Sequence, residues 1–407
     1  MRIAVVRCSM MMALLTVLLF AGTGADAGTW SRETVDDTTR CYYYETSLAL
    51  DDSWTPHVSY YDSEGYRIRY AQRTASGWDT TTVASGVSSH SLQALALDSL
   101  GRPRICYAFS ENNLSQGLMY AEWNGTSWVQ RQIGYGDPWG IEDVSLAVDS
   151  NGYSHAVWSR DNRLYHSRGS GQLWGGQEVI YGNDSGDSVF DCSLACDTVG
   201  GMHVSFTVGG HLHYGVRPSL YSLFTSARVD CPTWITNVSQ PSLALKADGT
   251  PGISYRQYKD GVCNLMFVES DGSNELYPNW DVTAVEQTSS WSSSFDTNSL
   301  AYDSMGLPHI AHFSPNNTDL RYCAYDGSSW NTEVADTSIY PSRDISMALD
   351  PEGTAHIAWV RGLDLCYTKD GPGVPPQPGE DDVPEPATFV LLLATVPVIG
   401  ALRRRKA

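Results

Sequence analysis

The chain has 407 residues, 42% of them hydrophobic and 18% charged, with a formal net charge of −20. This is a globular composition. The charge disfavours nucleic acid, whose binding depends on Lys and Arg at the phosphates, and an anionic membrane surface, while it suits an exported protein that tolerates bound cations.

The chain opens with the form of a secretory signal. Arg2 and Arg7 make a positive start, "MMMALLTVLLF" is a short apolar run, and "ADA" at 25–27 is a small-x-small cleavage site. Cleavage is expected after Ala27, with signal peptidase as the partner. Cys8 precedes the apolar run, so it is not a lipoprotein cysteine. Eight cysteines follow: Cys41, Cys106, Cys192, Cys196, Cys231, Cys263, Cys323 and Cys366. An oxidising compartment permits disulfides among them, with connectivity open. Cys192 and Cys196 have no His partners at zinc-finger spacing.

From residue 47 the sequence repeats. A first element reads "SLALD" (47–51), "ALALD" (94–98), "SLAVD" (145–149), "SLACD" (193–197), "SLALK" (242–246), "SLAYD" (299–303) and "SMALD" (346–350). The spacing is that of a propeller blade. Gly follows three residues after the last position of this element in six copies, at Gly101, Gly152, Gly200, Gly249, Gly306 and Gly353; the first copy has Trp54. Asp-x-x-Gly between two apolar runs is hairpin chemistry, because Asp bonds its own turn and Gly accepts positive φ.

A second strand ("HVSYY" to "HIAWV") and a third ("IRYAQ" to "LCYTK") follow in each copy. A fourth is often led by Trp, at Trp78, Trp128, Trp174, Trp280 and Trp330, and is less clear in the fourth copy near "LFTSARV" (223). The seventh copy has no fourth strand. "TWSRETVDD" (29–37), just after the leader, has its form: Trp30 lies as far before Leu48 as Trp128 before Leu146. The expected fold is all-β: one seven-bladed propeller over 28–371, four antiparallel strands per blade, closed by the N-terminal strand, which removes two open sheet edges. Two β-sandwiches would explain neither the seven copies nor the displaced strand.

His57, His155, His203, His309 and His356 share one repeat position, with Arg104 and Gly252 in the other two copies. They open the second strand, about 4.8 Å outside the channel-lining strand, too far apart to share a zinc at about 2.1 Å. Each is expected to hydrogen-bond an Asp-x-x-Gly turn of its own or the adjacent blade. The Trp residues that lead the fourth strands are expected to pack.

Residues that break the repeat are the better ligand candidates. The loops "GYGDPWGIED" (134–143), "YGNDSGDSVFD" (181–191) and "EQTSSWSSSFDTN" (286–298) lie at one end of the ring. Two positions before the Ser of each first strand stand Glu45, Leu92, Asp143, Asp191, Gln240, Thr297 and Asp344. Glu45, Asp143, Asp191 and Asp344, with Trp139 and Trp291, form the candidate ligand set at the channel mouth. They suit a polar ligand or a hydrated Ca²⁺, which takes several oxygens; the structural alternative is a solvated acidic rim. No other cofactor is implied, and no residue stands out as catalytic.

The end of the chain carries Pro384-Glu385-Pro386, the apolar run "ATFVLLLATVPVIGAL" (387–402) and Arg403, Arg404, Arg405 and Lys406, after a Pro/Gly-rich acidic linker over 372–383. This order resembles a PEP-CTERM sorting signal over 384–407. The resemblance implies a transient membrane contact through 387–402, recognition by an exosortase, cleavage near Pro-Glu-Pro, and a cell-surface or extracellular destination. It also implies an envelope-bearing, Gram-negative host, often one making exopolysaccharide. The run is short for a span, near the ~20-residue requirement, and the basic cluster favours a cytoplasmic end. An ordinary tail anchor is the competing reading.

The repeats also resemble sialidase-like, BNR-type propellers. Their Asp-box is not matched, since "YDGSSW" (325–330) has Gly directly after Asp326, and no arginine triad or Tyr-Glu pair can be placed. The expectation is an exported binding or scaffolding propeller, with polysaccharide as the partner; a glycan-active hydrolase or lyase is the alternative.

Overall fold

A computed structural model describes residues 30–371, except 39–40, 42–45, 88–91, 112–114, 137–139, 183–185, 220, 230–236, 274–277, 288–296, 315–318 and 338–340. The leader, Glu45, Trp139, Trp291, the linker and the whole sorting segment, including its expected helix, lie outside the described residues. Among the described residues no helix is long and apolar enough to cross a membrane.

The described residues form seven antiparallel sheets. Blade 1 pairs Thr46–Leu50, Pro56–Asp62, Arg67–Thr74 and Gly77–Ser85 in chain order. Blades 2 to 6 follow over 93–136, 143–182, 189–228, 238–287 and 298–337. Blade 7 takes Pro341–Leu349, Ala355–Arg361 and Asp364–Lys369 from the end of the propeller. Its outer strand is Ser31–Asp36, which pairs antiparallel with Asp364–Lys369. The N-terminal closure read from the displaced Trp30 is thus observed.

The core is divided among the seven blade–blade interfaces. Each of seven hydrophobic clusters draws on two neighbouring blades. The second strand is covered on both faces, which is why it reads as an apolar run rather than an alternation. Val58, Ile105, Ala156, Val204, Ile253, Ile310 and Ile357 share one position and are all fully buried. Burying an aliphatic side chain of that size contributes on the order of 1.5–3 kcal/mol.

The repeated polar residues serve the hairpins. His57, His155, His203, His309 and His356 set Nε2 3.3–3.5 Å from the Asp of their own blade's turn. Nδ1 meets Tyr70, His166, Tyr214, Tyr322 and Tyr367 respectively on the third strand. Arg104 fills the same role, with Nη2 3.1 Å from Asp98 and Nη1 donating to Gly152 O of the next blade at 2.8 Å. The fourth-strand Trp residues cross the interfaces. Trp78 packs on Tyr367, Trp128 on Tyr70, Trp174 on Tyr120, Trp280 on Tyr214, Trp330 on Phe267 and Trp30 on Tyr322, with ring centroids 4.5–5.5 Å apart.

Trp54 has φ of 61°, the left-handed region that glycine occupies in the other six turns. A side chain there costs about 1–2 kcal/mol, and Trp54 is 44% exposed. Trp54→Gly is therefore expected to stabilise the ring by about 0.5–1 kcal/mol after the entropy of glycine is counted. Urea denaturation followed by tryptophan fluorescence measures this, and a lower midpoint would mean that indole contacts outweigh the backbone strain.

Candidate functional site

The first strands line the central channel, and their leading residues surround a funnel of about 480 Å³ at one mouth. Asp143 and Asp344 stand there, and the third described acid of the expected set, Asp191, lies alongside. The funnel wall also holds Gln93, Glu142, Thr297, Asn298 and the serines of the first strands. The three aspartates are half-buried in the ring wall, and Glu142 is exposed.

Ring closure explains the burial. Each first strand stands beside the backbone of the next blade, whose N–H groups need acceptors. Asp143 accepts from Val144 N at 2.8 Å and from Cys192 N of blade 4. Asp191 accepts from Gln240 N of blade 5 at 3.0 Å. Asp344 accepts from Ile345 N at 2.8 Å and from Thr46 N of blade 1. One turn deeper, Ser346 accepts from Leu48 N, Ser47 from Leu95 N, Ser145 from Leu194 N, Ser193 from Leu243 N, Ser242 from Leu300 N and Ser299 from Met347 N, at 2.9–3.1 Å. The exception is blade 2, where Ala94 replaces Ser and Leu92 replaces the acid. The Ser of the repeat is therefore a blade-to-blade clamp, a role its sequence position does not reveal.

Burial raises Asp143 to about 8, with the charge of Asp191 adding to it, and raises Asp344 to about 7. Burial also raises Asp191, and raises Glu142 with help from Asp161 and Asp191. In the unfolded chain these aspartates return to an ordinary value near 3.8. As pH rises from there, the unfolded state sheds protons that the ring keeps, so stability falls until pH passes the folded values. The histidines run the other way. Burial lowers His57, His155, His309 and His356. Their contribution is complete above the ordinary 6.5 and is lost as pH falls through the lowered values. The expected stability maximum lies near pH ~6, with a loss on the order of 1–3 kcal/mol by pH ~8. Calorimetry across this range checks the profile; Asp143→Asn with Asp344→Asn should flatten the alkaline limb, and an unchanged slope would exclude these two carboxyls as its source.

A second cluster lies between blades 5 and 6. Glu286, His312 and Cys323 bring their ligand-type atoms within 4.8 Å of one another. Its chemistry is that of an ion network. His312 Nε2 is 2.9 Å from Glu286 Oε2, Arg321 pairs with Glu286, and Arg256 Nη2 approaches His312 Nδ1 at 3.2 Å. Two guanidinium groups oppose a further cation, and burial pushes the Cys323 thiol up to about 12. The same arrangement joins blades 7 and 1. There Asp36 accepts from Tyr60 Oη at 2.5 Å and lies 3.5 Å from Arg69. His312 thus stands where blade 1 has Tyr60, as one partner of an interblade clamp.

Between blades 3 and 4, on the face that carries the Asp-x-x-Gly turns, a cleft of about 540 Å³ opens. Comparable interblade grooves between blades 5 and 6 and between blades 4 and 5 measure about 170 and 180 Å³. The repeat pattern of the sequence does not mark this cleft. Its one signal was the indistinct fourth strand near residue 223.

No family model and no curated protein matches the chain. Solved structures do match. A polysaccharide lyase, PL25-Ulvanlyase, is 11% identical over 80% of this chain and 94% of its own, with a TM-score of 0.54. AofleA from Arthrobotrys oligospora is 11% identical over 77% of this chain and 92% of its own, with a TM-score of 0.48. The NanB sialidase from Streptococcus pneumoniae is 11% identical over 83% of this chain and 69% of its own, with a TM-score of 0.47. At 11% identity the likeness to the lyase is one of fold alone.

Proposed function

We propose that this is an exported, exosortase-processed surface or matrix protein whose propeller binds and scaffolds polysaccharide at the channel mouth. The observation that carries the reading is the funnel: a concavity that presents hydroxyl, amide and carboxyl groups beside the apolar Leu92, Val144, Pro241 and Ile345. A serine hydroxyl that accepts a backbone N–H still has a proton to donate, and a protonated carboxyl both donates and accepts. Such a wall suits a hydroxyl-rich, uncharged ligand. The substrate named for the lyase of like fold is also a polysaccharide.

A glycan array of neutral oligosaccharides tests the reading. Wild-type protein should bind, and Glu142→Ala, which leaves the serine and aspartate clamps in place, should bind less. Absence of binding by the wild type would leave scaffolding alone. A hydrolase or lyase is the second reading, on the same structural neighbour, and new chain ends after incubation with labelled polysaccharide would establish it. The export proposal rests on the two sequence ends; a mature C-terminus near residue 384, found by mass spectrometry of protein from its host, supports it, and an intact Ala407 refutes it.

A further inference from the structure

The interface between blades 7 and 1 shows how the outer groove is normally filled. Arg73 Nε pairs with Glu33 Oε2 at 2.6 Å, and Trp78 Nε1 donates to the same carboxylate at 3.0 Å. The Trp78 ring then packs on Tyr367. The interface between blades 3 and 4 keeps the ion pair: Arg217 Nη1 lies 2.6 Å from Glu178 Oε1. Strand register makes Arg217 the equivalent of Arg73, and Glu178 the equivalent of Glu33.

Both aromatic partners have changed. His166 stands in the place of Tyr367, and Phe224 in that of Trp78. Phe224 is turned over Gly215 of its own blade, where any β-carbon would collide with its ring. A glycine-containing bulge between Trp174 and Glu178 also lets the outer strand of blade 3 bend away. These changes leave the cleft. Trp174 and Tyr153 line it as aromatic surface, and Arg168, His166, Glu178 and Arg217 as polar surface.

The polar groups have a surplus of donors. Each guanidinium carries five N–H groups. Arg168 lies over the Tyr153 ring at 3.8 Å and gives Nη2 to Asp149 at 2.7 Å and Nε to His155 at 3.0 Å. Arg217 Nε is buried and has no partner among the described residues. Glu178, held well down to about 2 by His166 and then Arg217, is the acid that faces both.

We infer that the cleft between blades 3 and 4 is a binding site for a carboxylated saccharide, separate from the funnel. The aromatic walls take the sugar face, and the spare guanidinium donors take the carboxylate, the acceptor that matches a planar fork. The site lies on the opposite face of the ring from the funnel, so one chain can bridge two glycan strands.

Isothermal titration calorimetry of the full chain with an oligogalacturonate, a neutral galactan oligomer of equal length and a sulfated one tests this. The expected result is binding of the oligogalacturonate, weakened at least tenfold by Arg217→Gln and untouched by Glu142→Ala. The double variant His166→Tyr, Phe224→Trp should rebuild the packing of the other interfaces, raise the melting temperature and abolish binding. The inference is overturned by no oligogalacturonate binding, by equal binding in Arg217→Gln, or by stronger binding of the sulfated or neutral oligomer at this site. Loss of neutral binding in Glu142→Ala concerns the funnel alone, so the two readings fail independently.

Discussion

A chain that begins at Thr38 is expected to lose cooperative folding of the ring. Ser31–Asp36 is the outer strand of blade 7, so its removal exposes the edge of Asp364–Lys369. It also removes contacts to both neighbouring blades. Trp30 leaves Tyr322 of blade 6, Arg32 leaves Asp336 at 2.9 Å, and Val35 leaves the cluster shared by blades 7 and 1. Glu33 leaves Arg73 and Trp78, and Asp36 leaves Tyr60 and Arg69. Removing one partner of a buried charge cluster costs about 3–5 kcal/mol, and burial of an aliphatic side chain about 1.5–3 kcal/mol. Their sum approaches the whole stability of a typical domain, about 5–15 kcal/mol. Differential scanning calorimetry of chains beginning at Gly28 and at Thr38 should show a drop of more than ~10 °C, or no cooperative transition, in the shorter one. Equal midpoints would refute closure by this strand.

Glu286→Ala should destabilise the ring by about 3–5 kcal/mol, because it strips the principal acid from a largely buried group of donors. His312 is fully buried and Arg256 is 3% exposed. Burial opposes ionisation of Glu286, yet His312 and then Arg321 and Arg256 hold it below the ordinary carboxylate range. Without it, His312 Nε2 faces the Cys323 thiol at 3.4 Å, and Arg321 keeps only Asp319 at 4.0 Å. Urea denaturation should show the loss, and adding His312→Phe should recover part of it, since phenylalanine fills this position in blade 4 as Phe206. A Glu286→Ala protein as stable as the wild type would show that the cluster does not clamp blades 5 and 6. Added zinc should not raise the melting temperature of the wild type, given the two guanidinium groups at the site.

Much of the fold was legible because the information is local and repeated. An Asp-x-x-Gly hairpin needs only neighbouring residues, so the turns, the His at the head of five of the seven second strands and the number of blades follow from the sequence. The displaced Trp30 segment was legible because one copy lacked a strand and one strand lacked a copy. The sequence also located Asp143, Asp191 and Asp344 near the channel mouth.

What those acids do was decided by tertiary structure. Their acceptor oxygens meet N–H groups 49 residues away in Cys192 and Gln240, and 298 residues away in Thr46, and only ring closure brings these backbones alongside. The Glu286–His312 clamp and the cleft beside His166 have the same origin. Strand alternation tells which face a side chain takes but not which residue of the next blade it meets. His166 for Tyr and Phe224 for Trp are unremarkable changes in two separate repeats. They make one cavity because register sets them against each other across an interface, where a smaller ring at each position leaves volume that no other side chain refills.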